Sequence, residues 1–231
     1  MAAKKQTGLP KQVFDYLEAL KENNNREWFE SNRLTYQGIL SMVETFADEL
    51  LAQMNTFDVI ETPSGKASLF RIYRDVRFSK DKSPYKIHWA GRFKRATKFR
   101  RGGYYFELEP GNTILAGGFR NPNADDLKKI RDDIAFDPGP LQAILKDRKF
   151  VATFGALQGE QLKVVPRGYE RDHPAGDLLK YKQFLLIRKF TDEEVLDKGF
   201  VIAAARTFQQ MSGFFDYMSS VLVADSNGEL S

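Results

Sequence analysis

A chain of 231 residues with 42% hydrophobic and 29% charged side chains has room for one large domain or two small ones, with a substantial buried core. It has no cysteine, which excludes disulfides, thiolate nucleophiles, cysteine-ligated zinc and iron–sulfur clusters. Its net charge is only +4, yet twelve Lys or Arg against two acids between Arg71 and Arg101 make that segment +10 and leave −6 elsewhere, which points to an anionic partner: phosphate, carboxylate or nucleic acid.

No apolar h-region follows the lysines of MAAKKQTGLP, and no run approaches the ~18 apolar residues of a membrane span. Neither a secretory signal nor a membrane partner is expected, and the cytoplasm is the expected compartment. Residues 1–9 read as a flexible lead-in, 10–225 as a single domain and 226–231 as a flexible tail. Pro10 opens a helix in which Val13, Phe14, Leu17 and Leu20 recur at helical spacing, and three asparagines at 23–25 stop it. Asn24 or Asn25 caps a second, long helix whose apolar stripe runs from Trp28 to about Met54.

From Asp58 the texture changes to strands, expected at 57–62, 66–74, 86–96, 103–109 and 113–119 and separated by Gly- and Pro-bearing turns. Alternation is clearest at 86–95, with Ile87, Trp89 and Phe93 on one face and His88, Arg92 and Lys94 on the other. Helices follow at 123–135, capped by Asn123, and at 138–147. After irregular chain at 151–175 come a strand at 183–190 and a long helix from about Asp192 to Val223. Helices, then strands joined by tight turns, then helices make an α+β fold, a mainly antiparallel meander packed by long N- and C-terminal helices.

Four strings, NNNREWFESNRLTY (23–36), LFRIYRDVRFSKDKSPYK (69–86), GGYYFELEPG (102–111) and PRGYERDHP (166–174), fall in an order that resembles a bacterial and fungal family filed as domain of unknown function 2461. The resemblance spans most of the chain. It implies no activity, substrate or cofactor and assigns no catalytic residue.

The residues themselves offer several constellations. In a strand at 69–75, Arg71, Tyr73, Asp75 and Arg77 share a face opposite Ile72 and Arg74, so two guanidinium groups can clamp an oxyanion; an internal ion pair with Asp75 explains the same spacing. Ser79–Pro84, with Lys80 and Lys82, has the hydroxyls, ammonium groups and free N–H groups of an anion-binding turn, or of a plain solvated hairpin. Lys94, Arg95, Lys98, Arg100 and Arg101, interleaved with Phe93 and Phe99, resemble a nucleic-acid stripe, or a charged edge that keeps a strand soluble. His88 and His173, the only histidines, are the candidates for moving a proton, against a structural role for each.

Two histidines without cysteine argue against zinc. A magnesium site would need acidic oxygens, and Asp75, Asp81 and Asp172 cannot be grouped by spacing, so no metal and no cofactor is predicted. Asn24, Asn25, Arg26 and Trp28 could edge a pocket, although capping explains the amides. Tyr104 and Tyr105 must face opposite sides of a strand. Gly117–Gly118 lacks the spacing of a dinucleotide fingerprint.

The preferred reading is a site for an anionic small molecule around Arg71, Arg77, Tyr85, Lys86, His88 and Arg167, with Arg74, Asp75, Lys80 and Lys82 in the same segment. If chemistry occurs there, the cations stabilise a developing anion. The alternatives are a nucleic-acid-binding module using the 71–101 hairpin and an interaction domain for an acidic protein.

Overall fold

Pro10, with φ −62°, precedes α1 (Lys11–Glu22), whose buried face is Val13, Phe14, Tyr16, Leu17 and Leu20. The computed structural model describes residues 8–96 and 99–223; the lead-in at 1–7, Lys98 and the tail at 226–231 lie outside them. Asn23 closes α1 by donating its side-chain amide to the Ala19 carbonyl at 2.9 Å. Asn25 caps α2 (Arg26–Ser31), its Oδ1 accepting from the Trp28 N–H.

The single helix expected through Met54 is broken at Asn32, which turns its amide back onto the Trp28 carbonyl before α3 (Arg33–Met54) begins. Along α3, Ile39, Val43, Phe46, Ala47, Leu50, Leu51 and Met54 are buried. The strands expected at 57–62 and 66–74 do not form. Ser64 instead caps a single turn, α4 (Gly65–Ser68), held against α3 by the Gly65 N–H on Asp48 Oδ1 at 2.5 Å. Only glycine fits there, because a Cβ at 65 would lie 2.5 Å from the backbone at Glu44 and Asp48.

β1 (Trp89–Lys94), β2 (Gly103–Leu108), β3 (Thr113–Phe119) and β4 (Phe184–Phe190) form an antiparallel meander in the order β1-β2-β3-β4. Between β3 and β4 lie α5 (Ala124–Phe136), capped by Asn123, α6 (Gly139–Lys146), α7 (Arg148–Phe154) and α8 (Gly176–Leu179). α7 occupies the start of the stretch expected to be irregular; Asp147 starts it by accepting from the N–H groups of Lys149 and Phe150. The long terminal helix is instead three: α9 (Asp192–Leu196), α10 (Phe200–Gln209) and α11 (Ser212–Val223). Asp197 stops the first by capturing the Gly199 N–H at 2.7 Å, and a turn at 210–211 separates the others.

The result is a single α+β domain containing two compact, discontinuous units. One takes residues up to Phe93, Tyr105–Leu115 and Lys189–Arg206; the other takes Lys94–Tyr104, Ala116–Arg188 and the chain from Thr207. In the first unit Phe46 stacks on Phe200 and meets Phe106 edge-on, with Phe93 and Phe190 completing the cluster. In the second, Tyr104 packs between Phe208 and Phe215, and Phe119 meets Phe214 and Phe215. Gly118, at φ +132°, sits where a Cβ would be 2.1 Å from the Phe184 carbonyl oxygen, so the Gly117–Gly118 pair serves strand packing. Among the described residues no helix is long and apolar enough to cross a membrane.

Candidate functional site

The first unit carries an irregular arm, residues 69–88, in place of the expected second strand. Isolated antiparallel bridges join Tyr73 to Tyr85 and Leu69 to Gly91. Three residues lie between those bridges on one side and five on the other, so two residues are extra. Ile87 and His88 fall in that longer side, as bends just ahead of β1. Such bulges re-aim side chains at strand ends. The arm is held to the helices by Asn24, whose Nδ2 donates to the Tyr85 carbonyl at 2.9 Å while its Oδ1 accepts from the Tyr85 N–H at 3.1 Å. The Tyr85 ring, 3% exposed, stacks on Phe29 with centroids 4.0 Å apart.

Between the arm and the end of α1 is a cavity of about 350 Å³, lined by Lys21, Asn24, Arg74, Asp81, Ser83, Tyr85, Lys86, Ile87 and His88. Arg74 and Asp81 form an ion pair in its wall, with Arg74 also donating to the Ser83 carbonyl at 3.1 Å. The hydroxyl and N–H of Ser83, and then Arg74, hold the Asp81 carboxyl down to about 2. Lys86 donates to the Arg71 carbonyl at 2.7 Å and lies over the Phe70 ring. Burial, and next the Arg71 charge, push the Lys86 ammonium below its ordinary pKa. Neither Lys86 nor Lys21 has a carboxylate partner among the described residues. The ion pair cancels, so the cavity carries the excess positive charge of the two lysines.

His88 closes one wall and faces the sheet. Its Nε2 is 3.9 Å from Glu107 Oε2, and the ligand-type atoms of His88, Glu107 and Glu109 all lie within 4.8 Å of one another. Tyr105 donates its hydroxyl to Glu107 Oε2, and Asn112 Nδ2 donates to Glu109 Oε2 at 2.9 Å. The alternation of β2 builds this face: Tyr104, Phe106 and Leu108 are buried while Tyr105, Glu107 and the following Glu109 stand on the opposite, half-exposed side. Sequence reasoning overlooked both glutamates. The signal was present in YYFELE, where acids recur at a spacing of two on the face opposite the apolar residues.

Of the expected site residues, the cavity gathers Arg74, Tyr85, Lys86 and His88. Arg71 stays outside the lining and contributes a carbonyl and a charge. Arg77 is spent on Asp75 in an exposed two-residue pair, which is why the proposed arginine clamp does not assemble. Lys80 is exposed, and Lys82 donates to the Val76 carbonyl at 2.9 Å. Arg167 belongs to the other unit, where it lines a separate cavity of about 250 Å³ with Lys128, Arg131, Asp132 and Tyr169. There Arg131 donates to the Leu179 and Tyr181 carbonyls, and burial together with the Asp132 bond lifts the Tyr169 phenol to about 12.

Both ring nitrogens of His173 are engaged by backbone: one meets the Ala135 carbonyl at 3.1 Å and the other accepts from the Ala175 N–H at 3.0 Å. The aromatic–basic stripe is also broken. Phe93 is fully buried and the Arg95 side chain is 1% exposed, bonded to Asp216 and the Arg101 carbonyl, while Arg101 pairs with Asp126.

No curated protein and no solved structure matches the chain. One family profile does, described as a conserved hypothetical protein (DUF2461), and it aligns with residues 12–217. That span contains both cavities, the arm and the whole sheet, and the chain therefore belongs to the DUF2461 family.

Proposed function

We propose that the cavity between the arm and α1 binds a small molecule bearing a phosphate or carboxylate group. The observation that carries the reading is charge: Lys21 and Lys86 line one small concave space with no carboxylate to neutralise either among the described residues. An anion seated between them would offset the desolvation cost of burying Lys86 and the repulsion from the nearby Arg71. A volume of about 350 Å³ falls at the lower end of the range for small-molecule sites. Arg74 and Ser83 lie in the same wall as further donors, with Arg74 preset by Asp81. The nucleic-acid reading has weaker support, because Phe93 and Arg95, which it requires on the surface, are buried.

The test is isothermal titration at low salt with inorganic phosphate, sugar phosphates, nucleotides and small carboxylates. One class is expected to bind, with affinity falling at least tenfold in Lys86→Met and further in the Lys21→Met/Lys86→Met pair. No binding across the panel, or binding unchanged in the double variant, would sink the proposal. Saturable binding of mixed-sequence oligonucleotides alone, steeply weakened by salt, would return the nucleic-acid reading.

A further inference from the structure

We infer that His88, Glu107 and Glu109 form a binding site for one divalent first-row metal ion, Mn²⁺ or Zn²⁺, on the wall of the cavity. Two donors each ~2.1 Å from a common ion lie roughly 3.0–4.2 Å apart. The 3.9 Å between His88 Nε2 and Glu107 Oε2 is within that range yet too long for a hydrogen bond. The widest pair, bounded at 4.8 Å, needs to close by about 0.6 Å to lie trans on one ion and by about 1.4 Å for tetrahedral placement.

The electrostatics point the same way. Two half-buried carboxylates share one small space, and among the described residues no Lys or Arg pairs with either. Repulsion between them is relieved by a cation. One imidazole nitrogen with two carboxylate oxygens is a donor set of intermediate hardness, suited to Mn²⁺ or Zn²⁺ rather than to Ca²⁺ or Mg²⁺, which favour oxygen alone. The outer partners are in place: Tyr105 orients Glu107 and Asn112 orients Glu109.

Of the three residues only His88 also lines the 350 Å³ cavity, so the ion would sit on the sheet side of that wall. Through His88 the metal site adjoins the cavity proposed for an anion; that adjacency gains meaning only from the proposed function, and the metal site itself does not depend on it.

The experiment titrates tag-free, chelator-treated protein with Mn²⁺ and Zn²⁺ alone, followed by calorimetry and by loss of the free Mn²⁺ paramagnetic signal. Binding of one ion per chain is expected, with Mg²⁺ and Ca²⁺ at least tenfold weaker. His88→Ala, Glu107→Gln and Glu109→Gln should each weaken it tenfold or more, and Tyr105→Phe about tenfold. Lys21→Met/Lys86→Met should leave it intact, so loss of anion binding with metal binding retained would overturn only the functional proposal. Should Glu107→Gln fail to fold, Glu109→Gln at the strand end and His88→Ala still decide. Absence of Mn²⁺ and Zn²⁺ binding at millimolar concentration, or binding that survives both of those variants, would overturn the inference even if phosphate still binds.

Discussion

Asn24 is the hinge between the helical layer and the arm, and replacing it with alanine should damage stability and ligand binding together. Its amide donates to the carbonyl of Tyr85 and accepts from the N–H of the same residue, 61 positions away. Alanine leaves both groups of a residue that is itself 3% exposed without that partner. Each lost bond costs about 1 kcal/mol net, and each buried group left unpaired adds to that. Asn24 is only half-buried, so water can reach part of the gap, and the sum is about 2–3 kcal/mol. For a chain of this size that lowers the melting temperature by roughly 4–12 °C. Thermal melts followed by circular dichroism measure the stability term, and phosphate titration measures the shape of the cavity that Asn24 and Tyr85 line. Asn24→Asp keeps the acceptor and loses the donor, and should fall between parent and alanine. An alanine variant melting within a degree of the parent with unchanged phosphate affinity would refute the role given to this contact.

If the cavity binds an anion as proposed, that binding should depend on pH through Lys86: its ammonium loses its proton below the ordinary lysine pKa, so affinity for phosphate should decline as pH rises, earlier than a solvent-exposed lysine would dictate. The same shift means that in that alkaline window the unfolded chain binds more protons than the folded one, so stability rises with pH there. Lys86→Met should remove both slopes, and titrations and urea melts from pH 7 to 10.5 that show no difference from the parent would exclude the assignment. Gly118→Ala should cost about 3 kcal/mol or more, because the new Cβ would press on the Phe184 carbonyl at a backbone φ of +132°; a melting temperature near the parent's would mean the strands separate more easily than the packing implies.

Local chemistry was enough to find most elements. Asn123 caps α5 as the sequence indicated, β3 occupies the expected 113–119, and the apolar periodicities of α1 and α3 mark the buried faces. The failures share a cause. The breaks at Asn32 and Asp197 come from side chains that turn back onto nearby backbone, a competition that apolar periodicity does not register. α4 exists because Gly65 can approach the backbone of α3, a contact invisible along the chain.

The sequence by itself determined that the protein is an α+β domain, that its family pattern runs through most of the chain, and that its cations are concentrated between Arg71 and Arg101. Which of those cations remain without an acidic partner was a tertiary decision. Arg77 folds onto Asp75, Arg74 onto Asp81, Arg95 into the core beside Asp216 and Arg101 onto Asp126, while Lys21, 65 residues from Lys86, joins it in one cavity. The grouping of His88 with Glu107 and Glu109 was likewise decided by the two extra residues before β1 and by the face that β2 turns outward. Charge is a property of residues and can be counted along a chain; its neutralisation depends on distances of a few ångströms between residues far apart in sequence, which only the folded backbone sets.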